Sequence, residues 1–241
     1  YLVIPMILAP TLDQIPSPTN QKSVTVTGQA QDASSVEVFI NGASVGNVDV
    51  NEDGKFSMPV SLVTGSNRIT CIGTGWFNDI KRTSKPSAPI EVVLDMTPPE
   101  ITDVYDSPDP FTPNGDGIRD NTKILYTLSE ESLVELKIYK EESLVRTLID
   151  SSKMVSGPHS KVWDGRDDGG SMVEEGIYTY KIDARDLAGN ATPQQEGQLE
   201  VSYQTMAPPA PILLAPPDEE YIDSTTPTFQ ISPDETVERQ L

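Results

Sequence analysis

The stretch S-V-E-V-F-I-N-G-A-S-V-G, residues 35–46, decides the fold. Val36, Val38 and Ile40 alternate with Ser35, Glu37 and Phe39, a period of two that puts one set of side chains on a buried face and the other toward water. Asn41-Gly42 follows at once, and Asn-Gly between alternating runs is the strongest short-range hairpin signal. Working outward, the same cadence recurs at Val24 and Val26, at Val48 and Val50, and at Phe56, Met58 and Val60. Ile69 and Cys71, then Ile90, Val92 and Leu94, continue it. Asp53-Gly54 and Gly65-Ser66-Asn67 read as further turns between strands. Short strands repeating every 8–12 residues or so mean a sandwich or a barrel.

Composition agrees with an all-β chain. The 241 residues are 36% hydrophobic, and 21 prolines and 16 glycines supply turns and joints. The run Asp95-Met96-Thr97-Pro98-Pro99-Glu100-Ile101 marks a first boundary, because paired prolines make a stiff, extended connection. Pro208-Pro209-Ala210-Pro211 marks a second. The division is therefore 1–95, 96–205 and 206–241. The last segment, too short to bury its own core, reads as a Pro-rich linker and the truncated start of a third domain of Ig or fibronectin-III type.

Residues 8–95 resemble bacterial immunoglobulin-like domains, on the run quoted above and on D-G-K-F-S-M-P-V-S-L-V-T-G-S-N-R-I after it. In the second unit, alternating runs fall at 123–128, 133–139, 144–148, 161–164, 176–185 and 199–203. Four motifs occur there in order: F-T-P-N-G-D-G-I-R-D, W-D-G-R-D-D-G-G, G-I-Y-T-Y-K and D-L-A-G-N. This unit resembles the Ig-like domain named from the flagellar hook-capping protein FlgD, and is similar to C-terminal domains of gliding-motility and surface-secreted bacterial proteins. The resemblances imply tandem antiparallel Ig-like β-sandwiches in a bacterial protein that is extracellular, on the cell surface or periplasmic.

Charge narrows the partners. Lys+Arg number 17 against 37 Asp+Glu, a net charge of -20. Nucleic acid and anionic membrane surfaces need a basic face, so both are excluded as partners. The acidity concentrates in 96–205, where 10 basic residues face 21 acidic ones. One cysteine and one histidine leave no intrachain disulfide and no Cys/His zinc site. Cys71 alternates with Ile69 and should point inward as an inert thiol. His159, after Gly157-Pro158, is expected in a loop. The apolar opening Y-L-V-I-P-M-I-L-A-P is too short to span a bilayer and lacks the marks of an export signal. The chain reads as a piece of a longer protein, without direct membrane insertion in this segment.

The richest candidate site is residues 111–122, F-T-P-N-G-D-G-I-R-D-N-T. Laid on the twelve-position calcium-loop rule, it offers Asn114, Asp116, the Ile118 carbonyl and Asp120 around Gly117. Lys123 stands where a bidentate Glu belongs, so affinity for calcium would be weak, on the order of 10⁻⁴–10⁻³ M. The other reading is a turn in which Asn114 and Asp116 accept backbone N–H groups. The D-x-N-x-D-G run at 49–54 reads as a hairpin turn. Asp164, Asp167 and Asp168 lie within one short loop and read as a solvated connection, with Trp163 in the core. Trp76 and Phe77 are adjacent on a strand and so face opposite ways; one reading exposes one of them, Trp76, as a stacking surface for a sugar or partner protein, and the other makes them a core aromatic and a covered edge. Asn190-Ala191-Thr192 is a formal glycosylation sequon.

No catalytic constellation is evident, so the expected role is non-catalytic. The chain would be a structural, spacer or adhesion segment whose partners are other domains of the same polypeptide and surface glycans or proteins. The alternatives are an accessory carbohydrate-binding module of a secreted hydrolase, through Trp76, and an appendage-assembly domain of hook-capping type.

Overall fold

The computed structural model describes residues 6–203. The expected third segment, 206–241, lies outside the described residues. Those that are described form an all-β chain of two antiparallel sandwiches, with no helix among them.

The first sandwich contains β1 (Thr11–Leu12), β2 (Ser23–Gln29), β3 (Ser35–Ile40), β4 (Ala43–Asp49), β5 (Lys55–Ser61), β6 (Gly65–Phe77), β7 (Ile80–Thr83) and β8 (Ile90–Leu94). One sheet runs β1-β2-β5 and the other β4-β3-β6-β7, with β8 also pairing with β6. The period-two pattern is realised in β3, where Val36, Val38 and Ile40 are buried and the residues between them are not. They meet Val26, Phe56, Val60, Ile69, Cys71 and Val92 in one core. Each aliphatic side chain fully withdrawn from water there contributes about 1.5–3 kcal/mol. Cys71 lies fully buried, as its alternation predicts, and burial pushes its thiol pKa up.

Asn41-Gly42 closes the β3–β4 hairpin with both residues at positive φ, 52° and 82°, as a primed two-residue turn requires. Two other expected turns differ. Asp53-Gly54 joins β4 of one sheet to β5 of the other, so it crosses the sandwich instead of closing a hairpin. Gly65-Ser66-Asn67 is the start of β6, not a turn. Asn67 is fully buried there: its Oδ1 accepts from Val63 N, and its Nδ2 donates to the carbonyls of Val63, Gly65 and Val92. A polar residue that resembles a turn former in sequence thus caps a bend from inside the core.

The second sandwich contains β9 (Ile101–Ser107), β10 (Thr122–Leu128), β11 (Ser132–Lys140), β12 (Ser143–Met154), β13 (Gly157–Trp163), β14 (Gly176–Asp186) and β15 (Gln195–Val201). Its sheets run β13-β10-β9 and β12-β11-β14-β15. β9 carries no strong alternation and is absent from the sequence reading. β13 begins at Gly157, which places His159 in a strand beside Tyr126, not in a loop. β15 spans 195–201 where 199–203 was expected. Trp163 is fully buried between Phe111 and Tyr178, ring centroids 5.4 and 5.2 Å away, and its indole N–H donates to Arg166 O. The buried end is therefore hydrogen-bonded, as a buried indole must be.

One cross-strand pair sets a tight limit. Gly197 lies opposite Tyr180 in the β14–β15 ladder, and a Cβ on Gly197 would stand 2.2 Å from the tyrosine oxygen. The phenol ring covers the space where a side chain would be, which is the usual reason for an interior strand glycine.

Candidate functional site

Three places in the two sandwiches bear on function: the loop at 111–122, the joint between units, and a groove on the first unit.

In the loop, the expected ligand oxygens turn inward onto the backbone. Asp120 accepts from Gly115 N and Gly117 N, both at 2.7 Å. Asp116 accepts from Ile118 N at 2.7 Å, and Asn114 from Asp116 N at 3.0 Å. The Asn114 amide donates to Asp116, and the Thr112 hydroxyl donates to the Ile118 carbonyl. The bond from Ile118 N, then that from Asn114, lowers the Asp116 pKa. Gly115 and Gly117 sit at φ of 84° and 86°, which an L side chain rarely adopts. These bonds hold the middle of the loop, whose start is anchored by Phe111 pairing with Glu200 and Ser202, while each oxygen keeps a lone pair. The other acidic loop is similarly engaged: Asp167 accepts from Ser171 N, and Asp168 accepts from Thr147 N and faces Arg146 at 3.8 Å.

The joint lies between β8 and β9, at residues 95–100. Asp95 N donates to Thr19 O on the first unit, and Glu100 N donates to Ser129 Oγ on the second. Both ends of the proline connection are thus fastened to the sandwich they leave or enter. The units also touch directly through the hairpin between β14 and β15, D-L-A-G-N at 186–190. Asn20 N donates to Ala188 O at 3.2 Å, and the Asn190 amide donates to Asp95 O at 3.0 Å. Asp186, only 3% exposed, builds this hairpin by accepting from Gly189 N, Asn190 N and the Asn190 amide. The sequon asparagine is therefore a structural contact. Among the described residues, the group of three carboxylates close enough to share a cation is also here: Asp95, Glu130 and Asp186, with oxygens within 4.8 Å of one another. Burial, then the Asp186 and Asp95 charges, raises the Glu130 pKa.

A second carboxyl with a raised pKa, Asp106 on β9, has its Oδ2 buried without a hydrogen-bond partner. Burial first and the Asp109 charge second raise its pKa from 3.8 to about 6. The Tyr180 hydroxyl beside it pulls the value back a little.

The groove is on the first unit. Trp76, near the end of β6, is 64% exposed, whereas Phe77 is half-buried. This is the division that adjacent strand positions predict. Asp32, Gly75, Phe77 and Arg82 help to line a cavity of about 280 Å³ on one face of this strand pair; Gly75 pairs with Arg82 and Trp76 with Lys81, so the Trp76 side chain projects from the other face. Neither the joint residues nor this acid–base pair can be read from sequence spacing, because each set comes from segments far apart in the chain. The one available signal was the D-L-A-G-N turn chemistry.

The family model for glucodextranase domain B matches residues 7–84, which span most of the first sandwich, and supports its Ig-like character. Bacillopeptidase F of Bacillus subtilis (strain 168) is 30% identical over 192 residues, 78% of this chain. The chain spans only 11% of the length of that relative. Among solved structures, the fibronectin(III)-like modules of Clostridium thermocellum CbhA share 18% identity at a TM-score of 0.29, covering 36% of this chain and 95% of theirs. Dimeric latent PorU from Porphyromonas gingivalis shares 16% identity at a TM-score of 0.36, covering 82% of this chain and 20% of its own. No helix among the described residues is long and apolar enough to cross a membrane.

Proposed function

We propose that this chain is a non-catalytic spacer within a larger bacterial exported protein, holding the parts on either side of it at a set separation and angle. The observation that carries the reading is the joint. A proline connection alone restricts length but leaves rotation free. Here the 186–190 hairpin of the second unit reaches back to Asn20 and Asp95 of the first, so rotation breaks hydrogen bonds. The likeness to a segment of Bacillopeptidase F favours an accessory segment of an exported enzyme over a free-standing binding protein. The second unit carries the FlgD-like motifs. In this proposal D-L-A-G-N among them serves domain docking. Calcium, if held weakly by Asn114, Asp116, Asp120 and the Ile118 carbonyl, tightens the 111–122 loop and does not build it.

Small-angle scattering of the whole chain tests the joint. The parent should fit one inter-unit arrangement, and Asn190→Ala should broaden the distance distribution while both units still melt cooperatively. A parent that already samples many angles, or an Asn190→Ala variant with an unchanged distribution, overturns the proposal.

A further inference from the structure

The joint holds more than the hydrogen bonds that fasten it. Three carboxylates meet there: Asp95 where the chain leaves β8, Glu130 in the turn between β10 and β11, and Asp186 at the end of β14. One oxygen of each lies within 4.8 Å of the others. Two of the three already have donors. Asp186 accepts from Gly189 N, Asn190 N and the Asn190 amide, and Asp95 Oδ1 accepts from Thr97 N. Among the described residues the Glu130 side chain has neither a hydrogen bond nor an ion pair, whereas Glu131 beside it is held by Lys153 at 2.9 Å. The charged groups that face Glu130 are Asp186 of its own unit and Asp95 at the edge of the other, both negative. Ionised, Glu130 sets like charges against each other across the joint. Protonated, it is an O–H donor with two acceptor carboxylates beside it.

We propose that the joint is a proton-operated clamp: a neutral Glu130 ties the two units together through Asp95 and Asp186, and its ionisation loosens them. This rests on the spacer reading, because a clamp needs a joint to act on. Burial, Asp186 and Asp95, in that order, hold the Glu130 pKa above its ordinary 4.5, and opening the joint takes Asp95 away. The closed joint therefore binds the proton more tightly than the open one. Acid favours closure, and the gain is lost as pH rises through the raised value. The bonds from Asn20 N to Ala188 O and from the Asn190 amide to Asp95 O involve no titrating atom, so they hold the joint at neutral pH without the clamp.

Hydrogen exchange of the Asn20 amide, read by NMR in the whole chain with a chelator present, tests this, because that N–H donates across the joint and lies outside the carboxylate group. After correction for the intrinsic pH dependence of exchange, its protection should rise about two- to fivefold from about pH 7.5 to about pH 4.5, the range expected for one solvent-accessible charge pair. Glu130→Gln keeps a donor and removes the ionisation, so its protection should be high and flat across that range. Asp95→Asn keeps the acceptor for Thr97 N and should flatten the response as well. Equal protection of Asn20 at both ends of the range overturns the clamp and leaves the spacer standing. An Asn20 amide unprotected at every pH means that no closed joint forms, and both readings fall. A parent-like response in Glu130→Gln assigns the titration to another group and overturns the clamp. Protection that answers to added calcium and not to acid would make the three carboxylates a cation site and overturn it too.

Discussion

Replacing Asp106 by Asn should change how stability depends on pH. Burial and the neighbouring Asp109 raise the Asp106 pKa from 3.8 to about 6 in the folded chain. The folded state therefore binds this proton more tightly than the unfolded one. The stabilisation is complete below about 3.8 and is lost as pH rises through about 6. At about 1.4 kcal/mol per pH unit, the ceiling is about 3 kcal/mol. The carboxyl is only partly buried, and solvent screening reduces the expected effect to about 1 kcal/mol. Asn keeps the shape and removes the ionisation, so Asp106→Asn should exceed the parent by about 1 kcal/mol near pH 7.5 and match it near pH 4. Urea unfolding of both proteins across that range measures the difference, and the subtraction cancels carboxylates of opposite sign such as Asp116, whose pKa is lowered. A gap that does not vary with pH would refute the reasoning. So would a parent that outlasts the variant at neutral pH.

Two further perturbations test the packing and the loop. Gly197→Ala puts a methyl group 2.2 Å from the Tyr180 oxygen and should cost about 2–3 kcal/mol by thermal or urea unfolding, a cost that should vanish when the same change is made in a Tyr180→Ala background, which is itself destabilised by loss of a core ring; a change within about 0.5 kcal/mol would mean the ring moves freely. Asp120→Ala removes the acceptor for both Gly115 N and Gly117 N and should destabilise the chain by about 1–3 kcal/mol in the presence of a chelator; a loss seen only when calcium is added would show that the ion, not the amide bonds, builds the loop.

Period-two burial made the two sandwiches legible before any coordinates. Val36, Val38 and Ile40 could be assigned inward, and Cys71 and Trp163 to the core, because a strand's side chains alternate whatever it pairs with; that alternation put Trp76 and Phe77 on opposite faces without saying that Trp76 is exposed. Asn41-Gly42 likewise carries its turn type in its own φ preferences. Asp53-Gly54 did not, since a turn's residues constrain its local shape but not which sheet the next strand joins. Asn67 was misread for the same reason: its turn-forming chemistry is local, while its burial depends on Val92 arriving from β8.

Local rules of the backbone and the alternation of apolar residues thus settled the fold class and the Asn41-Gly42 hairpin turn. Tertiary structure alone brought the 186–190 hairpin against Asn20 and Asp95, set Gly197 under Tyr180, buried one oxygen of the Asp106 carboxyl, and brought Asp32 and Arg82 to one cavity beside Gly75. Those groupings depend on how whole sheets stack and how one sandwich meets the next, and no neighbouring residue in the chain encodes either.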